Sequence, residues 1–126
     1  MKLLWVGLGG LIGSVLRYLV AGWAQEASRS VSFPYGTLAV NLVGCLVIGA
    51  LSYLADARGL LHPEVRLFLL VGVLGGFTTF SAFGLETMNL LRDGQVLVAS
   101  LNVGANVVLC VLAVWAGRAG ALAIWR

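Results

Sequence analysis

The stretch Gly75-Gly76-Phe77-Thr78-Thr79-Phe80-Ser81-Ala82-Phe83 lies inside an apolar segment long enough to cross a bilayer. Two adjacent glycines, three hydroxyls and three phenylalanines are an unusual mixture for that depth. Glycine loosens a helix, and a hydroxyl or a freed backbone group finds no partner in hydrocarbon. Such a stretch is tolerated only where protein encloses it or where it lines an aqueous path. It therefore points to something polar that binds or crosses here.

The rest of the chain agrees with a membrane setting. Of its 126 residues, 60% are hydrophobic and 10% charged, and the mean hydropathy is +1.01. A soluble domain of this length could not hide so much apolar surface. The net charge of +3 comes from eight Lys/Arg against five Asp/Glu, mostly at segment ends. That distribution reads as topology signals and not as a nucleic-acid surface. Cys45 and Cys110 fall inside apolar segments, with no CxxC or Cys/His cluster, so both read as packing residues and not as a disulfide or zinc site.

Four apolar spans can be drawn, at residues 3–24, 36–55, 65–91 and 96–117, in a single transmembrane domain covering 1–126. Trp5, Trp23, Tyr35, Tyr53 and Trp115 mark their ends as an interfacial belt. The linkers are short: Ser28 to Pro34, Asp56 to Glu64, and the tight turn Arg92-Asp93-Gly94. Leu3 to Leu16 after Lys2 has the look of a signal-peptide core, but Arg17 interrupts the run and the apolar character resumes, which reads as a span. Four spans put both termini on one side, together with Lys2, Arg58, Arg66, Arg118 and Arg126; Arg29 and Arg92 fall on the other. This modest bias favours cytoplasmic termini. Small residues at helical spacing, Gly9 with Gly13, Gly72 with Gly76, and Gly36, Gly44 and Gly49, predict close helix contacts. A bundle of four helices has little interior for a water path, so a homo-oligomer with its function at the subunit interfaces is expected.

Polar groups at membrane depth are costly and mark function by default. Arg17 sits about two thirds through the first span. It reads either as a side chain snorkelling to the interface or as a vestibule charge that draws anions. Asn41 lies one turn after Thr37 and near Gly44 in projection; it is either interhelical glue or an amide donor to an anion. Asn102 and Asn106, four apart, share a helix face and suggest a polar track or a helix–helix pair. Glu86 is the only acid well inside a span. Thr79, Phe83 and Glu86 are predicted to share a face, flanked by Phe80 and Thr87. Two phenylalanines at that spacing are ordinarily core; next to Thr79, Ser81 and Glu86 they also suit an anion path, because a ring edge is weakly positive. Continuous helix over Val65 to Leu91 would be about 40 Å long, more than the hydrocarbon core needs. A break near Gly75-Gly76 resolves the excess, as tilt also could; a break would free carbonyls for a small cation such as Na⁺ and a helix N-terminus for an anion.

Four motifs, in order along nearly the whole chain, resemble the Fluc fluoride channels, also called CrcB. They are Gly10-Leu11-Ile12-Gly13-Ser14-Val15-Leu16-Arg17-Tyr18, Gly36-Thr37-Leu38-Ala39-Val40-Asn41, Gly75-Gly76-Phe77-Thr78-Thr79-Phe80-Ser81, and Glu86. The resemblance implies an all-α membrane protein with four helices per subunit and the third broken at midplane. It further implies an antiparallel, dual-topology homodimer in a prokaryotic plasma (inner) membrane, which exports fluoride passively through two pores along the subunit interface. A structural Na⁺ at the dimer centre would be held by the backbone carbonyls of Gly75 and Thr78. Phe80 and Phe83 would line the pores, Asn41 would be the pore asparagine, and Thr79, Ser81 and Glu86 would fall on the polar track. The family often carries a tyrosine or small hydroxyl where Asn102 and Asn106 stand here. Two other classes fit a small four-span chain. A proton-coupled multidrug transporter needs an acid in its first helix, where this chain has Arg17 and none; a non-transporting assembly subunit would use its polar residues only as glue.

Overall fold

The computed structural model describes residues 1–126 and is entirely helical. Four helical spans are long and apolar enough to cross a membrane: Lys2–Ser28, Tyr35–Asp56, Pro63–Arg92 and Val96–Ile124. We call the first two α1 and α2, and the last α5. The third contains two helices, α3 over residues 63–77 and α4 over Phe80–Arg92. Each span outruns its apolar window, because helical hydrogen bonding continues past the hydrocarbon into polar ends such as Gln25–Ser28.

Local signals set the boundaries. Arg29 adopts a left-handed conformation (φ 54°) and ends α1. Pro63 opens α3 at its first position, where a missing N–H costs nothing, and Glu64 follows in the positive first turn. Gly94, at φ 75°, makes the turn into α5. Gly75 and Gly76, the expected site of a break, are helical. The residues that leave helical space are Thr78 (φ −84°, ψ 159°) and Thr79 (φ −151°, ψ 121°). α3 and α5 each contain a π-helical stretch, Leu67–Leu74 and Ala105–Leu109.

The glycines explain the packing order. A Cβ on Gly9 would strike the Phe68 carbonyl, and one on Gly72 would lie 2.8 Å from the Cα of Gly9. α1 and α3 therefore meet backbone to backbone, as small residues permit. On the other side of the subunit Gly49 abuts the Val114 carbonyl and Gly117 the Leu46 carbonyl, which locks α2 to the second half of α5. α1 also packs on α2, and α4 on the first half of α5.

Only 19 of the 126 residues are buried within the subunit, while Leu3, Tyr18, Trp23, Leu97 and Trp115 stand well exposed. A water-soluble monomer does not present such a surface; this is a multi-pass membrane protein.

Candidate functional site

Thr78 and Thr79 are the centre from which the polar groups radiate. Extended backbone in the midst of a helical span leaves amides and carbonyls without their helical partners. In continuous helix the Thr79 N–H would bond the Gly75 carbonyl; here it donates to Asn41 Oδ1 at 2.8 Å. The Ala82 N–H, which would bond the Thr78 carbonyl, donates instead to Thr79 Oγ1 at 3.2 Å, so Thr79 caps α4. The carbonyls of Gly75 and Thr78 thus both lose their helical donors. Arg17 from α1 reaches the Thr78 carbonyl at 3.4 Å, a long hydrogen bond.

Asn41 ties this dipeptide to the fourth span. Its Nδ2 donates to the Thr79 carbonyl at 3.0 Å and to Asn106 Oδ1 at 3.1 Å. Asn106 Nδ2 donates in turn to the carbonyl and the Oδ1 of Asn102, both at 3.0 Å. Asn102 Nδ2 donates to Thr87 Oγ1 at 3.0 Å, and Thr87 Oγ1 to the Phe83 carbonyl at 2.7 Å. An unbroken relay of amides and hydroxyls therefore joins α2, α4 and α5. Such groups are retained in membranes only where every member finds a partner.

Three cavities surround the relay. One of about 390 Å³ is bordered by Asn41, Thr79, Phe80, Phe83 and Asn106, with Gly75 and Thr78 in its wall. A second, of about 570 Å³, holds Arg17, Thr37, Thr79 and Ser81. Thr79 borders both, and its hydroxyl lies 3.3 Å from that of Ser81. The third, of about 350 Å³, lies where α1 and α4 end and α2 begins, and is bordered by Gln25, Glu86, Asn89 and Asp93.

The phenylalanine pair is in contact, with ring centroids 5.3 Å apart and planes at 58°. The two rings differ sharply in exposure: Phe80 is 81% exposed and Phe83 8%. Two placements depart from the face drawn on the sequence. Thr79 precedes α4 instead of lying within it. Glu86 points toward α2, accepting from Thr37 Oγ1 at 2.6 Å, while Thr87 points toward α5. Glu86 Oε2 is buried without a partner. Asn102, grouped in the sequence with Asn106 on a track, has no exposed surface in the subunit and serves as a strut behind it.

Sequence reasoning noted Thr37 and Thr87 only as neighbours of more telling residues, yet they are the partners of Glu86 and Asn102. It missed Gln25 altogether. That side chain donates to the carbonyls of Ser30 and Phe33 at 2.9 and 3.1 Å and accepts from the Gly36 N–H at 2.9 Å, closing the connection between α1 and α2. A lone glutamine at a span end gives no signal of this on its own.

A sequence model of the family described as CrcB-like protein, Camphor Resistance (CrcB), matches residues 4–118. The chain belongs to the CrcB family. Among its relatives, the Elusimicrobium minutum protein named fluoride-specific ion channel FluC is 53% identical, over 89% of this chain and 86% of that one. The Rhodospirillum rubrum protein of the same name is 45% identical over 98% of this chain and 97% of its own length. Fluoride-specific ion channel FluC 3 of Methanosarcina barkeri is 41% identical over 97% and 91%. The CrcB match takes in Arg17, Asn41, the Thr78-Thr79 dipeptide and both asparagines of α5. It belongs to a class of transport proteins and not of enzymes.

Proposed function

We propose that this CrcB-family chain is the subunit of a fluoride channel in a prokaryotic plasma membrane, through which cytoplasmic fluoride leaves passively. The observation that carries this is the amide–hydroxyl relay from Thr79 through Asn41 and Asn106, set beside the exposed ring of Phe80, in a chain whose relatives are named fluoride-specific channels. Amides, hydroxyls and ring edges replace part of an anion's hydration shell without trapping it by a full charge, as conduction requires. Asn41, Thr79, Ser81, Phe80, Phe83 and Asn106 line the anion path. Asn102 and Thr87 hold Asn106 in position, Glu86 with Thr37 belongs to the outer end of the polar track, and Arg17 raises the local anion concentration in a vestibule.

The path is completed by a second copy. Phe80 projects outward and the cavity around it lies at the flank of the subunit, so one chain does not enclose a pore. The conducting form is a homodimer of subunits inserted in opposite orientations, with two pores along their boundary and lipid on the remaining apolar faces. In this arrangement Thr78 and Thr79 interrupt the third membrane helix near the bilayer midplane. The donor set fits a structural Na⁺: a hard cation takes oxygen ligands, and the Gly75 and Thr78 carbonyls have both been relieved of their helical donors. Bound there, Na⁺ would supply positive charge that ties the two subunits together at their centre.

The deciding experiment is efflux from liposomes containing the purified chain. Fluoride flux well above that of chloride is expected; absence of fluoride flux, or equal chloride flux, overturns the proposal.

A further inference from the structure

α2 and α5 run side by side in a fixed register. Asn41 bonds Asn106, Gly49 abuts Val114, and the Tyr53 ring lies 5.7 Å from the Arg118 guanidinium carbon. Each pair shares the same separation in sequence, at multiples of four residues along both helices, as expected when ridges four residues apart face each other. Cys45 and Cys110 occupy the rung between Asn41–Asn106 and Gly49–Val114. Both are free and half-buried, the register sets them opposite each other, and both border the cavity that holds Asn41, Phe80 and Asn106. Either cysteine alone would be a small apolar filler. Two thiols side by side on rigid, closely packed helices, open to a cavity, are a chelating pair.

We propose that Cys45 and Cys110 form a two-thiol site for one thiophilic metal ion of the Cu(I), Ag(I) or Hg(II) class. Thiolate sulfur selects soft ions over Na⁺ or Mg²⁺. No third His, Cys, Asp or Glu joins the pair, so four-coordinate zinc lacks its ligands whereas a two-coordinate ion has both of its own. Binding forms two metal–sulfur bonds and releases two thiol protons to water, and no electrons are transferred. Once one sulfur has bound, the other is held at high effective concentration, so the ion resists competition by free monothiols. An ion at this rung would also obstruct anion movement past Asn41 and Phe80; that consequence, unlike the site itself, rests on the channel reading.

The test uses the full chain and Hg(II) in chloride-free buffer. One metal ion per chain is expected, with retention against a competing monothiol falling by about tenfold or more in Cys45→Ala or Cys110→Ala. Two ions per chain, or single variants that retain metal as well as the parent, would overturn the site. The stoichiometry of the unaltered protein decides the matter even if a variant fails to fold. In liposomes, Hg(II) should stop fluoride efflux and a dithiol should restore it. Liposomes that conduct no fluoride before metal is added would refute the channel and leave the stoichiometry as the judge of the site.

Discussion

Replacing Asn41 by Asp keeps the side-chain shape, removes its two N–H donors and adds a negative charge. The amide makes three hydrogen bonds: it accepts from the Thr79 N–H and donates to the Thr79 carbonyl and to Asn106 Oδ1. A carboxylate retains the first and forfeits the other two, turning an oxygen toward two oxygens about 3 Å away. Hydrogen bonds inside membrane bundles are worth about 1 kcal/mol each, so the two lost bonds cost about 2 kcal/mol, to which the carboxylate facing two oxygens adds. Permeation suffers more. At an effective dielectric near 20, a fixed negative charge about 4 Å from an anion repels it by about 4 kcal/mol. That corresponds to about a thousandfold lower occupancy. The assay is initial fluoride efflux from liposomes, read with a fluoride electrode, with gel filtration of the same sample in detergent. The expected result is efflux reduced to background and an unchanged elution volume. Efflux near that of the parent in Asn41→Asp would refute both the donor geometry and the anion's passage beside it.

Three further outcomes follow from the same coordinates. Phe80→Ile should abolish most flux with little change in thermal stability, because the ring is exposed; Phe83→Ala, which empties a buried site, should cost about 3 kcal/mol or more and lower the melting temperature, and equal stability of the two variants would contradict the burial difference. Gly49→Ala places a Cβ against the Val114 carbonyl and should destabilise by about 1–3 kcal/mol, whereas Gly120→Ala, which meets open space, should be neutral when both are compared by thermal melting in detergent. Replacing Na⁺ by a large organic cation should weaken the dimer and reduce flux together; indifference of both removes the cation from the Gly75 and Thr78 carbonyls.

Much of this architecture could be read before any coordinates. The four spans follow from runs of apolar residues that only lipid can solvate, and Gly9 and Gly72 do mark a backbone contact. Phe80 and Phe83 touch, as a three-residue spacing predicts. The departure from helix was less well located. Gly75 and Gly76 are permissive, but Gly76 lies so close to Gly10 that helix packing, not flexibility, accounts for it. What holds Thr78 and Thr79 extended is a side chain from another helix, Asn41, and an intrinsic preference does not reveal that. The same limit applies to the relay: Asn102 and Asn106 share a face by spacing, yet only Asn106 borders the cavity, which depends on which helix covers each. Cys45 facing Cys110 depends on the register between α2 and α5, a tertiary fact with no local signature.

The π-helical turn at Ala105–Leu109 can also be considered in genetic terms. Such a turn is an α-helix with one residue too many. Deleting a residue there would restore ordinary helical winding, and the span would remain long enough for the bilayer. Because the wide turn absorbs the extra residue, the helix on either side would keep its facing. Val114 would stay against Gly49 and Arg118 beside Tyr53, whereas one residue lost from the regular helix just before Val114 would turn everything beyond it by about 100° and undo the α2–α5 seam. Two single-codon losses a few residues apart, alike in a hydropathy plot, would thus differ in outcome: one at the π-helical turn leaves the seam in register, and one in the helix beyond it is ruinous to assembly.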